Sequence, residues 1–526
     1  MKGISVLFLF VTFGTSWCTS YRILAIFPHS LRSHKNVLEP MVKALVQRGH
    51  KVDIISSYFT NQFSNFTNII DLPRPDTPPS MDYKTISAPN REVGWLDVIN
   101  RKMCDLLGHP RIAKLIQKPP NNPPYDLILV HLLTGYQCLA AIGYYWDIPV
   151  AGIVTTALYP QMHHFIGNPL NLAISRGHLQ SHESDMNFWS RLYNVIMTNY
   201  EIYKYYKYAH AQDYYIKKYL GADMPGYAEL EKNIAIIFSN SHFSYHGVKP
   251  KVPALIEIGG INIVNDTSEI SPALSKAMDE SSHGFIYFSF GSLVTIESLP
   301  TKMLENFYTA LRRAAPMTVI MKAPNPNLMP KNMPDNVITF PWLPQQKVLE
   351  HPNIKLFVTH GGALGLQEAI YNKVPMICVP FFAEQFVNCD ILSNKNVSLK
   401  IDVNTAQESD YIKTFEQLLS NSKYRNSMMK LSALYKDRIL QPDEAVTYWT
   451  EYIIRHGKNA LKSPGVDLEW WQRELLDVYA FLLVCAITII CTIVFITKPI
   501  MRRSSQFTHH IMQILTTSHD NGKKFH

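Results

Sequence analysis

Short apolar runs alternate with amphipathic stretches along the first half of the chain. The run 21–28 (YRILAIFP) predicts a buried parallel strand, and the apolar positions of 35–47 fall on one side of a helix. Residues 51–56 predict the next strand, so the chain opens with a βαβ unit. Two further buried strands are predicted at 125–130 and 148–154, with a helix between them.

The same alternation returns in the second half of the chain. Residues 246–282 are rich in Pro, Gly, Asn, Asp and Ser, and we interpret them as a linker. Two α/β units, 21–245 and 283–465, then predict two Rossmann-like domains facing a cleft. The strands predicted in the second unit are 285–292, 318–323, 336–342, 354–360 and 374–380.

Aromatic residues are concentrated between these two series. Residues 155–230 are rich in Tyr, His, Asn and Met, and helices are predicted around 187–219. Any single one of these aromatics is best interpreted as core packing. Together they suit the walls of an apolar pocket for a small ligand.

Two apolar segments predict a membrane-anchored chain. Residues 1–20 combine a basic start, a short apolar core and small residues, which is typical of a signal peptide. Residues 478–497 are twenty uncharged positions, which as a helix match the hydrocarbon core of a bilayer, about 30 Å thick. A buried core helix is rarely apolar on every face over that length.

The charge distribution orients the chain and argues against nucleic-acid binding. Of the formal net charge of +8, half lies in the tail 498–526, and the rest is scattered. Basic residues directly after the span predict a cytosolic tail and a type I orientation with lumenal domains. No basic stripe interleaved with aromatics is present, so a nucleic-acid partner is not expected.

Other short signals fit a lumenal protein of the endoplasmic reticulum. Three sequons begin at Asn65, Asn265 and Asn396. Lys523 and Lys524 resemble a dilysine retrieval signal on a cytosolic tail. Of the seven cysteines, four lie in the folded domains and none has zinc-ligand spacing. These four cysteines could form one disulfide, but the favoured interpretation is that they are buried free thiols.

The densest chemical signal is the stretch 338–388. A predicted strand delivers His360, Gly361 and Gly362 at its carboxyl end, and a helix starts directly afterwards. Glycines at such a turn let the backbone approach a diphosphate, and a helix N-terminus offers free N–H donors. Glu368 lies two turns into that helix, within reach of a ribose diol. By itself this motif is weak evidence for a ligand site.

The surroundings of the motif carry a family resemblance. Residues 338–388 resemble, without gaps, the signature of the UDP-glycosyltransferase family, in which UDP-glucuronosyltransferases are the vertebrate branch. The resemblance extends through 288–292, 445–463, Trp470-Trp471 and the single span. It implies the two-domain GT-B fold, with the donor held by the C-terminal domain. It also implies transfer with inversion, without a metal or a resident cofactor.

The resemblance assigns roles to residues of the donor site. Trp342 stacks on uracil beside Gln345, and Glu368 binds the ribose. Glu384 and Gln385 hydrogen-bond the sugar hydroxyls. The phosphates are held by Ser292, His360, Gly361 and Gly362. Glu384 is often aspartate in relatives, and Leu364-Gly365 replaces polar residues that touch phosphate in many of them.

The first predicted loop holds the candidate base. It contains no glycine, so a dinucleotide fingerprint is absent and a dehydrogenase is disfavoured. The resemblance makes His34 the general base. His29 is the other histidine of this loop, and a structural role is the favoured interpretation for it. The family usually keeps an aspartate after the strand 125–130, where this chain has His131. Another group could take the place of this aspartate as the partner of His34, and His131 and Asp126 are the candidates.

The expected activity is hexosyl transfer from a UDP-sugar to small lipophilic alcohols or phenols. The stretch THGGALGLQEA is closer to arthropod members, which favours UDP-glucose over UDP-glucuronate. The alternative from another class is a non-catalytic member that binds UDP-sugar or a hydrophobic ligand, and it rests on the carboxylate missing at 131. The oligomeric state stays open.

Overall fold

The structure is a computed structural model that describes most of the chain. The described residues are 19–28, 31–57, 66–72, 82–86, 103–119, 121–133, 136–177, 186–263 and 268–522. The predicted signal peptide, His29, Asn65, Asn265, Lys523 and Lys524 lie outside them, apart from the last two residues of 1–20.

The N-terminal domain is built on a seven-stranded sheet in which every described pair of neighbours is parallel. The order β3-β2-β1-β4-β5-β6-β7 places β1 where the strand order reverses. The strands are β1 (Arg22–Phe27), β2 (Lys51–Ser56), β3 (Phe66–Asp71), β4 (Leu127–His131), β5 (Val150–Val154), β6 (Ile234–Ser239) and β7 (Leu255–Glu257).

The C-terminal domain repeats this plan with a six-stranded parallel sheet. Its order is β10-β9-β8-β11-β12-β13, and β8 is at the reversal. The strands are β8 (Phe285–Ser289), β9 (Thr318–Lys322), β10 (Val337–Phe340), β11 (Ile354–Thr359), β12 (Met376–Cys378) and β13 (Ser398–Lys400). In open parallel sheets ligands bind outside the carboxyl ends of the strands at such reversals, which directs attention to β1 and β8.

Helices connect the strands of both sheets. In the N-terminal half they are α1 (Arg32–Gln47), α2 (Tyr83–Ile86), α3 (Pro110–Gln117), α4 (Ala141–Trp146), α5 (Met162–Phe165), α6 (Phe188–Ala209), α7 (Ala211–Leu220), α8 (Tyr227–Glu231) and α9 (Phe243–His246). Those that follow are α10 (Pro272–Asp279), α11 (Thr301–Arg313), α12 (Gln345–Glu350), α13 (Ala363–Tyr371), α14 (Gln385–Asn394), α15 (Glu408–Ser420), α16 (Ser422–Lys436) and α17 (Pro442–His456).

Two expectations about the N-terminal half need correction. The segment 246–282, interpreted as a linker, contains β7 and α10, and β7 pairs with β6 as the edge of the first sheet. This strand has only three residues, which is too short for a clear pattern. Cys104 and Cys138 form a disulfide with their Cα atoms 5.7 Å apart, so the preference for free thiols is wrong for this pair. Cys378 and Cys389 are buried free cysteines.

The last domain helix returns to the N-terminal half. Helix α17 packs against α1, and its Ala445, Val446 and Ile453 belong to the hydrophobic core of the N-terminal sheet. Glu451 of α17 accepts a hydrogen bond from Nε of Arg48 at 2.9 Å and lies 3.2 Å from Nε2 of His50. Helix α17 therefore follows the C-terminal sheet in the chain but belongs to the hydrophobic core of the N-terminal domain.

Residues 467–526 form a separate unit. It contains α18 (Trp470–Arg473) and the long helix α19 (Leu476–Gly522). Its segment Leu476–Thr516 reaches a mean hydropathy of 2.8 and is long and apolar enough to cross a membrane. The predicted span 478–497 lies inside it, and the predicted tail from 498 continues the helix to Gly522.

Candidate active site

The residues that follow β1, β4 and β5 meet at one edge of the first sheet. His34 lies in the first turn of α1, and its Nδ1 is 3.1 Å from Nε2 of His131 and 3.0 Å from Oγ1 of Thr155. His131 ends β4 and Thr155 directly follows β5, and both are buried. They converge because β1, β4 and β5 are neighbours in the sheet.

The contacts of this cluster bear on the tautomer of His34. A neutral imidazole has one N–H and one lone pair. Both neighbours, His131 and Thr155, contact Nδ1, so we assign the proton to Nδ1, where it is donated to one of them. In this tautomer the lone pair lies on Nε2.

The second partner named from the sequence does not reach this cluster. Asp126 precedes β4, and its Oδ2 accepts a hydrogen bond from the backbone N–H of Arg22 at 2.7 Å. Arg22 begins β1, so Asp126 lies at the amino end of the sheet, opposite to His131. The structure therefore contradicts Asp126 as the partner of His34, while His131 contacts it directly.

The turn between β11 and α13 holds His360 among glycines. Gly361 has φ +86°, a conformation that favours glycine, and a Cβ there would lie 2.5 Å from Sγ of Cys389. A Cβ on Gly362 would lie 2.5 Å from Nε2 of His360, and one on Gly291 would lie 2.8 Å from its Cε1. Both loops therefore require glycine to accommodate the imidazole. Gly362 caps α13 without a side-chain hydrogen bond, which leaves backbone donors at the helix start.

His360 is neutral in this environment. Burial and the nearby charge of Lys322 lower the pKa of His360 to about 4. Its Nδ1 is buried and has no hydrogen-bond partner among the described residues. Ser292 lies in the exposed turn after β8, beside Gly291. The turn thus presents polar groups that a bound anion could satisfy.

Lys322 adds a positive charge to the same place. It ends β9, is only 9% exposed, and its Nζ donates a hydrogen bond to the carbonyl oxygen of Gly291 at 2.6 Å. Burial, followed by the charge of Arg32, lowers the pKa of Lys322 to about 8. A buried ammonium group that costs energy to charge would be stabilised by an anionic ligand.

Trp342 lies between the two domains and is accessible. Nζ of Lys322 is 4.4 Å from the centroid of its ring, and Cζ of Arg32 is 4.0 Å from it. The side chain is 49% exposed. Arg32 is two residues before His34 on α1, so these contacts bring Trp342 next to the helix that carries His34.

Glu368 is buried and held by two amides. Its Oε1 accepts a hydrogen bond from Nδ2 of Asn262 at 3.0 Å, and its Oε2 accepts one from Nε2 of Gln345 at 2.6 Å. The hydroxyl group of Tyr287 donates to Oε1 of Gln345 at 3.2 Å, which orients that amide. The predicted pair of Gln345 and Glu368 is therefore in direct contact, and the carboxylate is held in one orientation.

Gln385 begins α14, and Glu384 directly precedes it. Burial raises the pKa of Glu384. Oε1 of Gln385 accepts hydrogen bonds from the backbone N–H groups of Phe381 and Phe382 at 2.9 and 3.2 Å. Gln385 therefore holds the loop that precedes Glu384.

The two departures in α13 have structural consequences. Leu364 is partly buried and packs against the core of the N-terminal domain. A Cβ on Gly365 would lie 3.3 Å from Nε2 of Gln345, so glycine leaves room for that amide beside Glu368. Both positions contribute to packing around the predicted donor site.

A cavity of about 60 Å³ near these residues is lined by side chains of both domains. Thr156 of its wall follows Thr155, and Glu384 contributes from the C-terminal domain. Arg176, His246 and Lys249 are basic residues of the same wall. Sequence reasoning identified no basic residue here, because they are far apart in the chain.

Further residues of the site were missed in the sequence. Thr155, Lys322 and Asn262 contact His34, Trp342 and Glu368 respectively. The available signal for Thr155 and Lys322 was their position at the carboxyl ends of predicted strands, β5 beside β4 and β9 beside β8. Asn262 gave no signal, because it lies in the segment interpreted as the linker.

The fold and the arrangement of these residues define a glycosyltransferase of the two-domain GT-B type. The profile of the family described as "UDP-glucoronosyl and UDP-glucosyl transferase" matches residues 97–509. The chain belongs to this family and is a UDP-glycosyltransferase. The resemblance seen in the sequence is therefore confirmed.

Individual relatives agree with this assignment. UDP-glucosyltransferase 2 of Dactylopius coccus is 32% identical over 91% of this chain and 92% of its own length. UDP-glucuronosyltransferase 1A3 of Rattus norvegicus is 32% identical over 50% of this chain and 49% of its own length. Phytolacca americana UGT2, solved with UDP-2fluoro-glucose and pterostilbene, shares the fold with a TM-score of 0.56 and 17% identity, covering 82% of this chain and 99% of that one.

Proposed function

We propose that this enzyme transfers a hexose from a UDP-sugar to a small lipophilic acceptor, with His34 as the general base. The observation that carries this proposal is the contact of Nδ1 of His34 with His131 and Thr155, which holds the imidazole at the carboxyl ends of β4 and β5. The acceptor oxygen gives its proton to the imidazole of His34 and attacks the anomeric carbon. The bond from that carbon to the phosphate oxygen breaks, UDP leaves with the electron pair, and the configuration inverts.

The donor contacts in this proposal follow the groups described above. Uracil stacks on the exposed part of Trp342, and the ribose diol donates hydrogen bonds to Glu368, next to Gln345. The diphosphate lies against Ser292, His360 and the start of α13, where fixed N–H donors stabilise the charge that develops on the leaving group. The sugar hydroxyls reach Glu384 and Gln385.

Lys322 is expected to make donor binding depend on pH. With its pKa lowered to about 8, Lys322 is charged at pH 7 and mostly neutral at pH 9. An anionic diphosphate binds the charged form better, so the Kd for UDP-glucose should rise about tenfold between these pH values. Isothermal titration without acceptor measures this.

Two variants test the origin of that pH dependence. Lys322→Met should bind weakly at both pH values, whereas Lys302→Met, which removes an exposed lysine, should behave as the wild type. An unchanged pH dependence in Lys322→Met would show that another group is responsible.

The donor sugar is proposed to be glucose. Similarity to a UDP-glucosyltransferase over nearly the whole chain supports this proposal. Glucuronate is the second candidate, and it is favoured by Arg176 and Lys249 in the wall that also contains Glu384. A cation in that wall could pair with a sugar carboxylate.

A donor screen with one phenol and full-length protein in detergent separates the two sugars. We expect turnover with UDP-glucose that Lys249→Ala leaves unchanged. A hydrogen-bonded pair with a sugar carboxylate is worth about 1.5–3 kcal/mol, so an enzyme that uses UDP-glucuronate should lose at least tenfold in kcat/KM in this variant. Turnover with UDP-glucuronate alone would overturn the proposal of glucose.

The same screen tests the non-catalytic alternative. That alternative rests on His131 replacing a carboxylate, so it predicts binding of UDP-sugar without turnover of any acceptor. His131 nevertheless lies within hydrogen-bond distance of His34, which supports a functioning base. A series of hydroxylated acceptors without any product would favour the binding protein.

His131→Asp is expected to raise the turnover rate or to shift the pH optimum upward. A carboxylate 3 Å or so from an imidazole stabilises its protonated form, which develops as the acceptor loses its proton. The neutral control is His131→Asn, which should not show the gain. Measuring pH–rate profiles of folded variants decides the question. A lower rate for His131→Asp across the whole profile would mean that the natural imidazole is an adapted relay.

We propose that the domains lie in the lumen of the endoplasmic reticulum, anchored by α19. Support comes from the disulfide between Cys104 and Cys138, since disulfides persist in oxidising compartments. Asn396, the sequon that the structure describes, is partly exposed in the turn after α14. Sensitivity of its glycans to endoglycosidase H would test this location, and resistance would argue for a later compartment.

A further inference from the structure

Helix α6 exposes an unusual amount of apolar surface. Six of its large apolar and aromatic side chains are each more than half exposed. They are Phe188 (60%), Trp189 (72%), Tyr193 (57%), Ile196 (57%), Tyr200 (51%) and Tyr203 (59%). Single exposed apolar residues are normal, but a contiguous group of this size marks an interaction surface.

These six residues lie on one face. At 3.6 residues per turn they fall within an arc of about 140°. The opposite face is buried against the N-terminal domain through Asn194, Thr198, Tyr205 and Ala209. The exposed face of α6 is therefore apolar, and its buried face is partly polar. This is the reverse of the pattern of a helix whose exposed face is in water.

Hydrogen bonds hold the helix in this orientation. Nδ2 of Asn194 donates to the carbonyl oxygens of Leu172 and Ser175 at 2.7 and 2.8 Å. The hydroxyl group of Thr198 donates to Oδ1 of Asn194 at 3.1 Å. Turning the apolar face inward would leave these buried polar groups without partners, at a cost of about 1–3 kcal/mol each.

We propose that this face of α6 rests on the surface of a phospholipid bilayer. Trp and Tyr rings have an apolar body and a polar tip, which suits the interface between acyl chains and water. By helical position Arg191 and Lys204 border the two sides of the face, where long basic side chains reach lipid headgroups. Nζ of Lys204 lies 5.0 Å from the ring of Tyr200.

A bilayer is the occupant that the rest of the chain favours. This inference rests on the proposed membrane anchor α19, whose segment Leu476–Thr516 is long and apolar enough to cross a membrane and would tether the folded domains near a bilayer. This raises the local concentration of lipid far above that of any soluble partner. The aromatic composition of 155–230 suggested the walls of an acceptor pocket. In this proposal the six exposed side chains of α6 contact lipid and are not part of such a pocket.

Photocrosslinking of the full-length protein tests this surface. Tyr193→p-benzoylphenylalanine and Tyr200→p-benzoylphenylalanine are reconstituted in phosphatidylcholine vesicles, irradiated and analysed by mass spectrometry. Leu434→p-benzoylphenylalanine is the matched control, because Leu434 is an apolar residue with 58% exposure on the C-terminal helix α16. UDP binding by each variant verifies the fold.

We expect lipid adducts at positions 193 and 200 in at least tenfold higher yield than at 434. Equal yields at all three positions would overturn the proposal. Crosslinks from 193 or 200 to a second copy of the chain, in place of lipid, would also overturn it and would identify the face as a dimer interface.

Discussion

His34→Ala is expected to reduce kcat by about 10²–10⁴ while the Kd for UDP stays nearly unchanged, since removal of a general base has an effect of this size. His34 belongs to the N-terminal domain and contacts His131 and Thr155, whereas the groups proposed for UDP binding belong to the C-terminal domain, with Arg32 as a neighbour of Trp342. The measurement is steady-state turnover at saturating donor, with UDP affinity determined separately.

Two controls make this result specific. His210→Ala removes an exposed histidine and should keep the wild-type rate. Imidazole added to His34→Ala should restore part of the lost turnover, because a free base can enter the space left by the side chain. Retention of more than half of the wild-type rate by His34→Ala would remove His34 from the mechanism.

Glu368→Ala is expected to weaken UDP binding by about 10- to 100-fold, the range for hydrogen bonds to a charged group. The carboxylate is buried, and Asn262 and Gln345 hold it in place, so it loses little entropy when a ribose diol binds. Glu350→Ala, at an exposed position, should leave the Kd unchanged.

An analogue separates a direct role of Glu368 from a structural one. Wild-type protein should bind 2′,3′-dideoxy-UDP at least tenfold more weakly than UDP, and Glu368→Ala should bind both equally. If the variant still distinguishes the two ligands, Glu368 acts only by holding Gln345 and Asn262.

Most of the strands that the structure describes were predictable because their signals are local. The run 51–56 was predicted with its observed bounds, and β1, β8 and β11 lie within predicted runs. Buried parallel strands require continuous apolar residues, so their sequence is informative without any knowledge of neighbours. The strands β3, β6, β7 and β13 were not predicted, and β7 and β13 have only three residues each, which carry too little pattern.

The glycine turn around His360 was also predictable, since its requirements lie within three consecutive residues. Gly361 needs a positive φ, and Gly362 must leave room for the imidazole beside it. The roles of Glu368, Trp342 and the other donor residues stay predictions, although the structure brings Gln345 and Glu368 into contact. The family that the motif indicated is confirmed.

The amino-acid sequence by itself determined the family, the two α/β units and a segment long and apolar enough to span a membrane, because each depends on residues close together in the chain. Only the tertiary structure decided that Thr155 joins His131 at His34, that Asp126 does not, and that Lys322 lies beside Trp342. His34 is separated from His131 by 97 residues and from Thr155 by 121. Which side chains meet over such distances depends on the order of strands in the sheet, and local patterns do not encode that order.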